Sequence, residues 1–164
     1  MQKTFETPEP TSLYVELGSG EITLRCDEVA QTTVDVTGKL ADEFTVEQRG
    51  GQIVVIGPKN RGVGFFNGGD KASVHVTMPS GSSLATKLGS ADVTCSGRLG
   101  ETRIKTGSGD ISLDLVDGEA LVEAGSGDIS VNEITGDLRA KSGSGNVWSG
   151  NVWDDTGAAI KARN

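Results

Sequence analysis

The sequence predicts an all-β protein: a single-stranded parallel β-solenoid, in which a coil of short strands stacks on copies of itself. Three observations predict it. From Ser83 the chain divides into 18-residue blocks, SLATKLGSADVTCSGRLG, ETRIKTGSGDISLDLVDG and EALVEAGSGDISVNEITG, with a fourth, DLRAKSGSGNVWSGNVWDDTG, three residues longer. Self-similarity at a short fixed period marks a repeat architecture. Within each block apolar and polar residues alternate, as they do in strands with one buried face. With 24 glycines and only 4% aromatics, the chain lacks the bulk of a helix bundle, and no 3.6-residue apolar stripe appears.

Each segment can be justified in chain order. Met1–Pro10 reads as a flexible tail, and residues 11–164 as one domain. An early copy of the repeat, LYVELGSGEITLRC, lies at Leu13–Cys26. Thr32–Gly38, Glu43–Arg49, Gln52–Gly57 and Ala72–Met78 have strand patterning. Gly50-Gly51 between the second and third is a hairpin turn, so part of this half is antiparallel. Residues 11–82 therefore read as an irregular cap with hairpins that covers the solenoid's N-terminal end. Within it, Pro58–Asp70 is a Gly-rich loop holding Phe65 and Phe66. Residues 83–157 are the regular repeats. Thr86, Ile104, Val122 and Ala140 share one inward column; Val93, Ile111, Ile129 and Val147 share another. Residues 18 apart are expected to stack about 4.8 Å from each other, the ordinary interstrand spacing. Residues 158–164 look like the start of a further coil. A single block buries too little to offset the entropy of ordering it, so stacking is compulsory.

The corner between the two strands of a block is GSG, recurring at Gly89 (as GSA), Gly107, Gly125 and Gly143. Its first and third residues are expected to use the positive φ that glycine permits. Ala91 fills the third place in the first block, so regularity should be poorest there and in the long fourth block. Asp92, Asp110 and Asp128, with Asn146 and Glu21, form a column that reads as turn-capping acceptors. It is not a calcium nonapeptide, which repeats every nine residues. Nor is GSG a P-loop, because each copy leads into a strand rather than a helix.

The run SVHVTMPSGSSLATKLGSADVTC, followed by ETRIKTGSGDISL and LVEAGSGDISV, resembles a bacterial β-strand-repeat family named "putative adhesin", of unknown function. The resemblance extends over roughly Leu13 to Gly157. It implies a single-stranded, right-handed SGD-repeat β-helix, an adhesin-like role and no established enzymatic activity.

Chemistry-bearing residues are sparse. The net charge of −8 argues against a nucleic-acid partner, whose affinity rests on Lys and Arg. No stretch of 18 apolar residues is present, so no membrane insertion is expected. The N-terminus lacks an apolar leader segment, which gives a cytoplasmic expectation. Cys26 and Cys95 show no metal-ligand spacing. They read as reduced buried thiols, although the sequence leaves open whether they approach each other. His75 is the lone histidine and reads as a surface strand residue. Arg103 and Arg139 with Asp114 or Glu133 come nearest to a sugar-cleaving constellation, but nothing marks a specific pair. No catalytic residue, cofactor or metal is expected. Phe65, Phe66, Trp148 and Trp153 are the candidate interaction surface, because large apolar groups in Gly-rich or terminal segments are potential partner anchors. The expected function is a non-catalytic structural or interaction module that self-associates or binds a protein through its C-terminal coil. The alternative is a carbohydrate-binding or carbohydrate-cleaving β-helix using Trp148, Trp153 and the Arg103/Arg139 column.

Overall fold

The computed structural model describes residues 1–58 and 71–152, the last two by backbone alone. Its strands are β1 (Gln2–Glu6), β2 (Ser12–Asp27), β3 (Gln31–Thr37), β4 (Thr45–Arg49), β5 (Gln52–Ile56), β6 (Ala72–Pro79), β7 (Ser83–Leu99), β8 (Thr102–Ser108), β9 (Ile111–Val116), β10 (Ala120–Ser126), β11 (Ile129–Ile134), β12 (Leu138–Ser144) and β13 (Val147–Val152). Together they form a mixed, unclosed 13-stranded sheet. β2 and β7 run straight through their corners and so belong to two ladders. One ladder runs β4-β5-β2-β7-β8-β10-β12; the other runs β1-β3-β6-β2-β7-β9-β11-β13.

From β7 onward all pairing among the described residues is parallel. Ile111 lies opposite Ile129, and Ile129 opposite Val147. Thr86, Ile104, Val122 and Ala140 are successive rungs of the other ladder. Each partner is 18 residues further on. The early copy of the repeat is the rung beneath: Leu13 pairs with Leu84 and Ile22 with Val93. Residues between these two copies supply the remaining strands, with β5 and β6 parallel to β2 and β3, β4 and β1 added antiparallel. Gly50 takes φ +61 in the β4–β5 hairpin, whose register closes with Arg49 opposite Gln52.

The inward columns of both ladders merge into one hydrophobic core. Leu13, Ile22, Leu84, Ile104, Ile111, Ile129 and Leu138 are essentially inaccessible. Inward Thr and Ser near the corners satisfy carbonyls there: Thr102 donates to Gly100 O (2.9 Å), Thr106 to Ser108 O (2.9 Å) and Ser142 to Gly127 O (2.8 Å). Polar atoms are thus buried where the turn leaves acceptors unpaired, as the cost of unpaired burial demands.

Three expectations change. The segment expected to be a tail contributes β1, paired with β3 over Gln2–Glu6. Main-chain bonds to an edge, the Met1 ammonium on Val36 O and the Lys3 ammonium on Val46 O hold it, and none of these leaves an apolar pattern in QKTFE. Only the third glycine of a corner has positive φ, as at Gly109, Gly127 and Gly145. The first serves close approach: a Cβ on Gly107, Gly125 or Gly143 would lie 2.5–2.7 Å from the carbonyl oxygen of the glycine one coil below. Finally, the corner at Ala91 keeps its register, with Ser90 opposite Ser108 and Val93 opposite Ile111. The irregularity sits later in β7, as a bulge between Cys95 and Arg98. There Gly97 takes φ +83, and its missing Cβ clears the Cys26 carbonyl. The fourth block holds the 18-residue register as far as Val152.

Candidate interaction surface

Strand alternation gives each ladder an outer face, and parallel register turns each outward position into a line along the stack. On the β7-β8-β10-β12 ladder one line is Ala85, Arg103, Leu121, Arg139, and the next is Lys87, Lys105, Glu123, Lys141. Glu101, Glu119 and Asp137 precede these strands at their entry. Together with Arg103, Leu121 and Arg139 they line an open groove of about 230 Å³. Arg103 meets Glu101 at 3.4 Å. Among the described residues Lys87, Lys105, Arg139 and Lys141 have no ion pair or hydrogen-bonded partner. Leu121 is 40% exposed between the two arginines.

The other outer face is hydroxylic and acidic. Thr23, Thr94, Ser112, Ser130 and Trp148 form one line across it. Trp148 is 55% exposed. Its ring lies back over Gly150, where an added Cβ would come within 2.7 Å of the ring edge. His75 occupies an outward site on β6, in register with Thr23 and Asp35. Asp114 and Glu133 also belong to this ladder, on β9 and β11. The structure therefore separates them from Arg103 and Arg139. The suggested sugar-cleaving set is not assembled, and the arginines stand instead beside Glu101, Glu119 and Asp137. Of the four aromatic candidates only Trp148 is described; Phe65, Phe66 and Trp153 lie outside the described residues.

The acidic column at the corner has a structural task. Asp92 accepts from the Asp110 amide (2.8 Å), Asp110 from the Asp128 amide (2.9 Å), and Asp128 from the Asn146 amide (2.9 Å). Each carboxylate caps the corresponding residue of the next coil rather than its own turn. A second such ladder runs along the opposite corner. Thr135 donates to Asp117 (2.9 Å) and accepts from the Gly118 amide (3.1 Å), and Asn132 donates to Asp114 (3.3 Å). The described residues hold no group of three or more His, Cys, Asp and Glu arranged to bind a metal ion.

Cys26 and Cys95 are buried free thiols. They sit in neighbouring rungs, with Cys95 opposite Leu24 and Cys26 opposite Met78. Burial pushes the Cys26 thiol up to about 12 against a small opposing pull from Arg98, and pushes Cys95 up as well. Both are protonated and shielded, the reverse of a reactive cysteine. Tyr14 is also raised, chiefly by burial and then by its hydrogen bond to Glu16.

Parallel in-register ladders, glycine corners and an antiparallel N-terminal addition define a repeat-built, β-solenoid-like module. More particularly, the chain belongs to the Toastrack DUF4097 family, whose sequence profile matches residues 11–134. Among solved structures it is similar to a Clostridium sporogenes protein described as a "putative cell adhesion protein". The two are 14% identical with a TM-score of 0.54, over 91% of this chain and 99% of that one. This likeness shows a shared fold. Two Parabacteroides distasonis proteins align over most of their lengths, each at 10% identity. One, a "putative adhesin", has a TM-score of 0.33 over 99% of this chain and 92% of its own. The other, a "putative lipid binding protein", has a TM-score of 0.30 over 100% and 96%. No curated protein matches the chain by sequence.

Proposed function

We propose that this chain is a non-catalytic, adhesin-like interaction module that associates with a second copy or a protein partner through its C-terminal coil. In this reading the ladders are successive turns of one right-handed, single-stranded β-helix with 18 residues per coil, an architecture that ends in strand edges. The observation that carries the reading is at β12 and β13. Among the described residues each pairs with a strand on one side only, and the exposed Trp148 stands on the second of them. An unpaired edge beside a large apolar anchor is the geometry of strand addition. Separation of Arg103 and Arg139 from Asp114 and Glu133 supports a non-catalytic role. The adhesion wording attached to the Clostridium sporogenes neighbour accords with it.

Light scattering on the full chain across a hundredfold concentration range tests the proposal. The expected result is concentration-dependent association that Trp148→Glu weakens while leaving the unfolding midpoint in place. A strictly monomeric chain at every concentration, with no partner whose binding Trp148→Glu reduces, would refute it.

A further inference from the structure

The outer face of the β7-β8-β10-β12 ladder lies away from the C-terminal edge, and its chemistry is of another kind. The chain carries a net charge of −8, yet this face displays five cations, Lys87, Arg103, Lys105, Arg139 and Lys141. Four of them have no anionic partner among the described residues. Solvated lysines scattered over a surface would need no explanation. These are instead aligned along the stack, and both interruptions, Leu121 and Glu123, fall in a single strand, β10. The cations of β8 and β12 are consequently two rungs apart, about 9.6 Å between backbones at the ordinary interstrand spacing. Between them lies an exposed apolar patch, Leu121, flanked along the groove by the carboxylates of Glu101, Glu119 and Asp137.

Each part of the groove suits a different chemical group. Guanidinium and ammonium groups donate charge-assisted hydrogen bonds to carboxylate or sulfate. Unpaired carboxylates accept hydrogen bonds from hydroxyls. An exposed leucine packs against C–H surface. Nucleic acid is disfavoured, since its closely spaced phosphates would meet Glu123 and the carboxylate wall without counter-charge. From this pattern we infer that the groove binds a linear acidic polysaccharide lying along the stack, with an acidic group on alternate sugars. Arg103 with Lys105 and Arg139 with Lys141 hold successive acidic groups. The intervening neutral sugar lies over Leu121 with its hydroxyls toward the Glu101–Glu119–Asp137 wall. The inference does not depend on association through the C-terminal edge, because the residues are different and no coil end is used.

The test is calorimetric titration of the full chain with hyaluronan decasaccharide, in which uronate alternates with a neutral sugar. A neutral chitin oligosaccharide and a single-stranded polynucleotide of similar length serve as comparisons. Binding of the decasaccharide that weakens with added salt is expected. Arg139→Glu and Arg103→Glu should each weaken it about tenfold or more, the effect of losing one charge-assisted contact and adding a repulsive one. Trp148→Glu should leave it unchanged. Both arginine side chains are outward and exposed, so the substitutions preserve the fold, and an unchanged unfolding midpoint verifies this. No binding of the decasaccharide overturns the inference. So does equal binding of the neutral oligosaccharide or the polynucleotide, or decasaccharide binding indifferent to both arginine substitutions. A salt-sensitive dimer abolished by Arg139→Glu, with no glycan bound, would give the face to a second copy instead.

Discussion

Gly127→Ala isolates the feature on which the stack depends. Gly127 has φ +126, where an L-residue is strained by about 1–3 kcal/mol. A Cβ built there would lie 2.1 Å from the carbonyl oxygen of Gly109 in the adjacent coil. That atom is main chain and cannot swing aside, so the rung itself must shift. The shift strains the bonds nearest the corner, Gly127 N–H to Ser144 O (2.9 Å) and Gly109 N–H to Ser126 O (3.1 Å). Each contributes about 0.5–1.5 kcal/mol net. The expected loss is about 3–5 kcal/mol, a large share of the roughly 5–15 kcal/mol that stabilises a domain. In a chain of this size it lowers the melting midpoint by roughly 10 °C. Ala91 provides the internal control. It occupies the same column with ordinary φ, so Ala91→Gly should cost only about 1 kcal/mol, the entropic penalty of glycine in a strand. Urea unfolding followed by circular dichroism measures both. If Gly127→Ala came within 1 kcal/mol of the native chain, or Ala91→Gly cost as much, coil-to-coil contact would not govern the choice of glycine.

Three further outcomes follow from the same coordinates. Asp110→Ala removes the acceptor of the Asp128 amide and should cost about 1 kcal/mol while speeding hydrogen exchange at that amide; Asp110→Asn, which keeps a carbonyl oxygen, should cost less. Ile129→Ala, at the centre of the second inward column, should cost about 2–5 kcal/mol in urea unfolding, against less than about 0.5 kcal/mol for the outward Ser130→Ala. Cys26 is raised from its usual 9.0 to about 12 in the folded chain. The folded state thus holds its proton longer, so the contribution is fully present below pH 9 and is lost as pH rises from there through about 12. Over that window stability should fall by about 1.4 kcal/mol per pH unit for this thiol, and Cys26→Ala should flatten the slope of unfolding free energy against pH by that amount.

The repeat made the ladders legible because a period of two and a period of eighteen coincide in residues such as Ile104, Val122, Ile111 and Ile129. Inward side chains at those positions announce both the buried face and the stacking partner. What stayed hidden has no side-chain periodicity. β1 is held by main-chain bonds and carries only Phe5 as a partly buried apolar group. The bulge at Gly97 leaves the block at 18 residues, because the extra residue before Arg98 is offset in the turn before Thr102. The positions of Arg103 and Arg139 relative to Asp114 and Glu133 required knowing that the GSG corner divides each block between two ladders. Reading outward residues without that division put charges together that the fold sets on different faces. The exposed Trp148 needed no such knowledge, since it alternates with inward residues in a strand.

A parallel in-register stack copies any residue type repeated at eighteen into a line, whatever its chemistry. The lines divide by location. Those at the corners, Asp92–Asp110–Asp128 and Asp117–Thr135, have their oxygens engaged by the next coil's amides or hydroxyls, so repetition there serves cohesion. The line of cations on the outer sheet face makes no coil-to-coil contact, and neighbouring like charges such as Lys87 and Lys105 repel across one rung. Cohesion therefore cannot account for it. A repeated feature that weakens the stack has to be offset by something outside it. A long anion laid across the rungs is the partner whose charge would turn that repulsion into attraction.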